Sequence, residues 1–364
     1  MTRPPLTIRR LKARAVRLPM KRALAVSSGL ISTACFVLLD LETEEGVVGR
    51  AYLYSFFERH LPLLRAAVAE IAANVEGKKV EPTALFADNL KRYRLLDPKG
   101  MVGIAMSGLD VACWDALARA ADLPLARYLG GALRPVPAYN SNGLGIISAS
   151  EAAAEAQALL AEGFHAIKLR LGRAEPRDDL AVVRAVRRAI PADAILMADY
   201  NQALTVTEAI ARGRGLDGEG LAWIEEPVRH DDYAGNARVA SALATPIQIG
   251  ENFVFPQAMA AALAANACDY VMPDVQRIGG VTGWQRAAGL ADAAGIEMSS
   301  HLFPEVSAHL LAITPTAHWL EYMDWADPIL RAPLKVVDGI VEVPDRPGHG
   351  MEWDEKAVAR YEVA

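Results

Sequence analysis

The sequence predicts an α/β fold, a (β/α)8 barrel of the TIM type behind an N-terminal α+β capping module. Three observations carry that expectation. Residues 1–133 read as an antiparallel meander followed by helices, and from residue 134 short apolar strands alternate with alanine-rich helices. Nearly every one of those later strands also ends in a charged or polar residue.

The bulk properties set limits first. A chain of 364 residues is too long for one ordinary core and fits about two domains. With 52% hydrophobic and 23% charged residues it has the composition of a soluble globular protein. A formal charge of −6 gives no electrostatic reason to bind nucleic acid or an anionic membrane. Cys35, Cys113 and Cys268 are far apart, with no CxxC spacing, and read as buried thiols in a reducing compartment. The opening MTRPPLTIRRLKARAVRLPM is basic but lacks the apolar stretch of a signal peptide. No segment is expected to supply the ~20 apolar residues of a membrane span. A cytoplasmic location and a homo-oligomer are the corresponding expectations.

Leu6–Leu18 alternates apolar and basic residues, Ala34–Leu41 is apolar, and the turn Thr43–Gly46 leads into Val47–Tyr54. That pattern is a meander. Leu61–Ala73 then shows a helical apolar face, and Gly103–Ala121 is a strong helix closed by Asp122 and Pro124. After Gly130-Gly131 the strand candidates are Val136–Asn140, Ala166–Leu171, Ile195–Asp199, Ala222–Glu225, Ile247–Gly250, Tyr270–Met272, Glu297–Ser299 and Trp319–Glu321. Helices such as Glu151–Glu162, Leu180–Ala189, Val281–Ala294 and Ser307–Ile313 lie between them. Eight such units point to a closed barrel over residues 134–329, and the Pro- and Gly-rich segment 330–364 is expected to run back to the capping module.

In a barrel of this kind the carboxyl ends of the strands face the active site. Here they carry Lys168, Arg170, Asp199, Asn201, Glu225, Glu251, Asp274, His301 and Glu321. A rim used only for packing would carry Val, Ile or Leu, and so many converging charges cost too much desolvation to persist without a metal or substrate. Asp199, Glu225 and Glu251 end three successive strands, and their repulsion disappears around a hard divalent cation. All-oxygen ligation suits Mg²⁺, with Mn²⁺ able to substitute. In the EEP run, period-2 alternation places Glu225 on the face of Trp223, which selects Glu225 over Glu226. His301 beside Asp274 can be held in one tautomer and made more basic. Lys168 and Arg170, two apart on one strand, both point inward, where two cations facing a metal site would bind a carboxylate.

With those residues assembled, the sequence resembles the mandelate racemase branch of the enolase superfamily over almost its whole length. The matching stretches are ADYNQ (198–202), WIEEP (223–227), GEN (250–252), MPD (272–274), RIGGVTGW (277–284), MSSHLF (298–303) and SAHLLAITPTAHWLE (307–321). The resemblance implies a capping module whose loop closes over the barrel, and one Mg²⁺ held by Asp199, Glu225 and Glu251. It implies abstraction of the proton α to a substrate carboxylate, with His301 as base backed by Asp274, and Glu321 as the acid on a carboxylate oxygen. Asn201 would meet the α-hydroxyl or the carboxylate, and Ser141 the same carboxylate.

Two departures from the family pattern matter. The family's Lys-x-Lys is Lys168-Leu169-Arg170 here, and a guanidinium stays protonated. Arg170 therefore reads as an electrostatic clamp, not the base on the second face, which would leave Lys168 as the only other amine. The loop Leu18–Ile31 carries Lys21 and Arg22, read as a cationic rim for a polyhydroxylated acid or a distal carboxylate. The leading functional reading is a dehydratase of small acid sugars giving a 2-keto-3-deoxy acid. A racemase or epimerase of a 2-hydroxy acid is the alternative. A binding protein that merely kept the barrel would show eroded ligand positions, and none is eroded.

Overall fold

A computed structural model describes residues 5–26 and 29–363. Strands β1 (Ile8–Val26) and β2 (Gly29–Thr43) form a long antiparallel hairpin, and β3 (Val48–Ser55) adds to β2. The segment Leu18–Ile31, expected as a loop, is therefore mostly ladder among its described residues; Ser27 and Ser28 lie outside them. Pro19 faces Thr33 while Leu24 faces Ile31, so Met20–Ala23 bulges between them.

Helices α1 (Leu61–Val75), α2 (Pro82–Arg92) and α3 (Met101–Ala121) cover this sheet. Gly49 on β3 lets α3 approach closely, since a Cβ there would collide with the Ala112 carbonyl oxygen. Helix α3 corrects one expectation, because by length and composition it could cross a membrane. It is instead a core helix, 72% buried in its most apolar stretch, and it presents Asp110 and Asp115 to fixed partners in the barrel and the tail.

A short turn, α4 (Leu125–Tyr128), leads to the barrel. It runs β4 (Val136–Asn140), α5 (Ala149–Leu160), β5 (Ala166–Arg170), α6 (Pro176–Ala189), β6 (Ile195–Asp199), α7 (Val206–Leu216), β7 (Leu221–Glu225), α8 (Tyr233–Ala242), β8 (Ile247–Ile249), α9 (Phe255–Ala264) and β9 (Tyr270–Val271). Then come α10 (Val275–Ile278), α11 (Gly280–Ala294), α12 (Pro304–Ala312) and β10 (Leu320–Tyr322). The six strands β4 to β9 are parallel neighbours in chain order, and β10 returns to pair in parallel with β4. Local chemistry starts the helices: Ser148–Glu151 and Thr205–Glu208 form capping boxes at α5 and α7. Prolines occupy the first turns of α6, α9 and α12.

Two barrel elements differ from the expected pattern. The strand expected at Glu297–Ser299 is reduced to bridges from Met298 to Val271 and Ala317. The amides of Met298, Ser299 and Ser300 donate in turn to the carbonyls of Thr316, Val271 and Trp319, so hydrogen bonds go to both neighbours without a run on either. The eighth strand, β10, is followed by a 3₁₀ turn at Asp327–Ile329 and not by a helix.

The tail adds a two-strand ribbon, β11 (Val336–Val337) and β12 (Ile340–Val341), beside the start of β4. Helix α13 (Glu355–Tyr361) and strand β13 (Glu362–Val363) follow, and β13 pairs with β1. The indole of Trp353 donates to Asp40 at 2.9 Å, and Arg14 bonds Glu355, which ties the tail to the first sheet.

Asp110 on α3 joins the capping helices to the barrel. It accepts from the Thr282 amide at 2.9 Å and the Thr282 hydroxyl at 2.5 Å, and so caps the start of α11 from another element. Gly280 lies so close that a Cβ would press on this carboxyl. Burial pushes the Asp110 carboxyl up to about 7, against the pull of the Thr282 hydrogen bonds. In the unfolded chain the group ionises near 3.9, so between about pH 4 and pH 7 the native state holds a proton that the unfolded chain has released. Its contribution to stability is present below that window and declines as pH rises through it. In urea unfolding from about pH 4 to pH 8, Asp110→Asn should lack this decline, by a few kcal/mol in the wild-type-minus-variant difference. A difference that stays flat across the window would contradict the assignment.

Candidate active site

The carboxyl ends of the barrel strands open under the β1–β2 hairpin into a cavity of about 240 Å³. One wall is charged and polar: Lys168, Arg170, Asp199, Asn201, Gln202, Glu251, Asn252, His301 and Glu321. The other is apolar, made by Leu24, Val26 and Ile31 of the hairpin, Tyr54 and Phe56 at the end of β3, and Leu302, Met323 and Trp325. Several residues just past strand ends hold left-handed backbone, with φ of 44° at Asn201, 63° at Gln202, 35° at Glu226 and 50° at Leu302 and Phe303. Such strain persists where the surroundings over-determine it, and it concentrates at functional sites.

The three carboxylates expected together are together. Asp199, Glu225 and Glu251 each offer an oxygen, and these atoms lie within 4.8 Å of one another. Around them is a shell of donors. The Asn201 amide nitrogen donates to Asp199 Oδ1 at 2.7 Å and its side chain to Oδ2 at 3.0 Å. Asn252 donates to Glu251 Oε1 at 2.9 Å and to Glu226 Oε2 at 2.8 Å. Trp223 donates from its indole N–H to Glu225 Oε2 at 3.3 Å, and both side chains are fully buried.

The positive charge these acids require comes from Lys168. Its Nζ lies 2.6 Å from Glu225, 3.4 Å from Asp199 and 2.8 Å from Glu321. Burial alone would lower the Lys168 pKa, but Glu225 and Glu321 hold it well above the usual lysine value. Burial pushes Glu225 up to about 8 in spite of Lys168. Glu226 also lies well above its ordinary value, through burial and the charge of Glu251. An all-oxygen set this crowded, backed by N–H donors on the outer lone pairs, fits a hard divalent cation.

His301 and Asp274 form a dyad. Nδ1 of His301 stands 2.7 Å from Asp274 Oδ2, while the other Asp274 oxygen takes the Gln276 amide at 2.7 Å. A backbone bridge between the two residues fixes their separation. With Nδ1–H donated to the carboxylate, Nε2 is left toward the cavity, 3.2 Å from Glu251. Burial opposes protonation of this imidazole, but Glu251, Glu321 and Asp274 outweigh it and raise its pKa to about 9.

Glu321 receives the Leu302 amide at 2.9 Å and the Ser141 hydroxyl at 2.7 Å. Burial works against its charge, yet Lys168 and His301 hold it well below the usual carboxylate range. Ser141 does not line the cavity and stands behind Glu321.

Lys21 and Arg22 are not brought into the site. Lys21 pairs with Asp324 at 2.5 Å, and Arg22 bonds Glu162 at 2.7 Å with Glu155 3.6 Å away, so barrel acids neutralise both charges outside the cavity. Sequence reasoning missed the apolar wall and Asn252; it weighed Glu226 only as the alternative ligand to Glu225, and used Trp223 only for the alternation that aligned it with Glu225.

Residues 8–130 match the "mandelate racemase / muconate lactonizing enzyme, N-terminal domain" and residues 151–357 the "enolase C-terminal domain-like" family. The chain belongs to the mandelate racemase / muconate lactonizing enzyme family of the enolase superfamily. A solved enolase from an alphaproteobacterium, with bound Mg, is 48% identical over 98% of this chain and 100% of its own, with a TM-score of 0.96. A Bradyrhizobium enolase, solved with magnesium and mandelic acid, is 42% identical over the full length of both chains, with a TM-score of 0.95. L-talarate/galactarate dehydratase of Salmonella typhimurium is 31% identical over 90% of this chain and 82% of its own.

The Trp223 contact gives a test of the carboxylate cluster. Trp223→Phe keeps the packed ring but removes the only N–H that Glu225 Oε2 receives among the described residues. Affinity for Mg²⁺ or Mn²⁺, measured by calorimetric titration, should fall about 10- to 100-fold. Unchanged affinity would show that Glu225 is not oriented by this bond.

Proposed function

We propose that this chain is a Mg²⁺-dependent enzyme that removes the α-proton of a hydroxy-carboxylate, and that its overall reaction is dehydration of a small acid sugar to a 2-keto-3-deoxy acid. The observation that carries the reading is the His301–Asp274 dyad, which faces three clustered carboxylates across one cavity. Asp199, Glu225 and Glu251 would hold the ion, whose charge on the substrate carboxylate favours the enediolate. His301 Nε2 takes the C2 proton, and Asp274 stabilises the imidazolium through Nδ1–H. The C2–H electron pair moves into the enediolate, Glu321 and Lys168 lie against the carboxylate end, and Asn201 holds the α-hydroxyl. The C3–O bond then breaks, the imidazolium returns its proton to that oxygen, water leaves, and the enol becomes the 2-keto acid.

Lys168 supports a one-base scheme, because three carboxylates keep its ammonium charged. A talarate/galactarate dehydratase among the relatives supports the overall reaction. A second reading, racemisation or epimerisation of a 2-hydroxy acid with an apolar substituent, draws on the apolar wall and on the relative solved with mandelic acid. The substrate would be a free small acid in the cytoplasm, where three buried free thiols stay reduced, and a homo-oligomer is part of the same reading.

Chelation should abolish turnover and Mg²⁺ restore it, and Glu251→Gln should weaken the ion's binding. Full activity after exhaustive chelation would refute the metal site. In D2O, recovered substrate should carry deuterium at C2, and the 2-keto-3-deoxy product should carry it at C3, where the enol is protonated. His301→Asn should reduce that exchange at least about 10³-fold with the fold intact, and Asp274→Asn should slow it less. Undiminished exchange in His301→Asn would remove the histidine from the mechanism.

A panel of acid sugars and of 2-hydroxy acids with alkyl or aryl substituents separates the two overall reactions. Dehydration yields a 2-keto-3-deoxy product by carbonyl assay. A change in optical rotation without a keto product would favour the second reading.

A further inference from the structure

Arg170 stands where the family pattern has a second lysine, and its surroundings give it a different task. Its Nη1 donates to the carbonyls of Ser141 at 3.0 Å and Gly143 at 2.7 Å, both in the loop after β4. Its Nη2 donates to the Ser141 hydroxyl oxygen at 2.7 Å. Ser141 has one hydroxyl hydrogen, and with its lone pair taken by the guanidinium that hydrogen goes to Glu321 Oε1, 2.7 Å away. All three side chains are buried, which strengthens this chain of bonds. The loop itself is fixed from the other side: the Leu144 amide donates to Glu155 at 2.8 Å, and the Leu144 carbonyl accepts from the Arg170 amide at 2.8 Å.

We propose that Arg170 is a positioning residue that acts through Ser141: the guanidinium fork holds the loop after β4 and aims the Ser141 hydroxyl at Glu321, fixing that carboxyl against the substrate's carboxylate end. Ser141 thereby meets substrate only through Glu321. A lysine at position 170 has one nitrogen on a flexible stem, and it cannot span two carbonyls and a hydroxyl in one plane. Among the described residues, Nε of Arg170 has no partner and Nη2 spends one of its two N–H on Ser141, so a direct contact of the guanidinium with substrate is the alternative that the test has to separate. The inference rests on the proton-abstraction reading of the site, and α-proton exchange by the wild-type enzyme in D2O checks that reading independently.

The experiment is a double-mutant cycle on the Mg²⁺-loaded full-length enzyme, reading kcat and KM of α-proton exchange for wild type, Ser141→Ala, Arg170→Met, the double variant and Arg170→Lys. Each single variant should lower kcat by about 10- to 100-fold while KM moves by less than about threefold. The double variant should be no worse than the poorer single variant within about threefold, because both act on one chain of bonds. Arg170→Lys should not rescue kcat. Losses that multiply in the double variant would overturn the proposal and place Arg170 directly on the substrate. So would wild-type kcat in Ser141→Ala, a variant that remains informative if Arg170→Met does not fold, and so would full activity in Arg170→Lys.

Discussion

The repulsion among Asp199, Glu225 and Glu251 is the constraint around which the rest of the molecule is arranged. Three carboxylates within 4.8 Å of one another, in a low-dielectric rim, are tolerable only beside positive charge. Lys168 supplies part of it from the neighbouring strand β5, and a divalent cation would supply more. Much of the surrounding hydrogen bonding serves to hold this arrangement still. Asn201, Asn252 and Trp223 each spend an N–H on a carboxylate oxygen, and left-handed backbone at Asn201 and Glu226 turns those residues in at the ends of their strands. The barrel provides the geometry because parallel strands in register deliver successive side chains to one rim, as at Arg170↔Asp199 and Asp199↔Glu225.

The capping module divides the labour differently from what its charges suggest. Its hairpin faces the cavity with Leu24, Val26 and Ile31, whereas the cations Lys21 and Arg22 on the intervening bulge turn to Asp324, Glu155 and Glu162. The cations fasten the hairpin to the barrel, and the aliphatic side chains form an apolar wall of the cavity. The same logic of locking one element to another recurs at Asp110, which caps α11 from α3, and at the tail, where Trp353 and Glu355 bind the first sheet. The module is held at a fixed distance over the rim by buried polar bonds as well as by apolar packing.

Most of the charged half of the site was legible in the sequence, because strand periodicity is local. A residue at the carboxyl end of an apolar run, at Asp199, Glu225 or Glu321, points into the barrel whatever the rest of the chain does. What depended on distant partners was not legible. Nothing near Lys21 reveals Asp324, and nothing near Leu24 reveals Trp325 across the cavity. Glu226 was set aside in favour of Glu225 for a local reason. Alternation sends it to the opposite face from Glu225, but its φ of 35° breaks the alternation and brings its carboxyl beside Asn252. The strand expected at Glu297–Ser299 is reduced to isolated bridges from Met298 to Val271 and Ala317. Even so, the residues that follow it still place His301 opposite Asp274.

The substitution of Arg170 for the family's second lysine bears most heavily on the reaction. With Lys168 enclosed by carboxylates and Arg170 engaged with Ser141 and Gly143, the proposed reaction leaves His301, among the described residues, as the base for the substrate carbon. The direct test is solvent deuterium exchange by the wild-type enzyme with each C2 epimer of an active acid. The account predicts incorporation into one epimer, with the other at or near the uncatalysed rate. Comparable rates for the two epimers would contradict it and would require a second base on the opposite face.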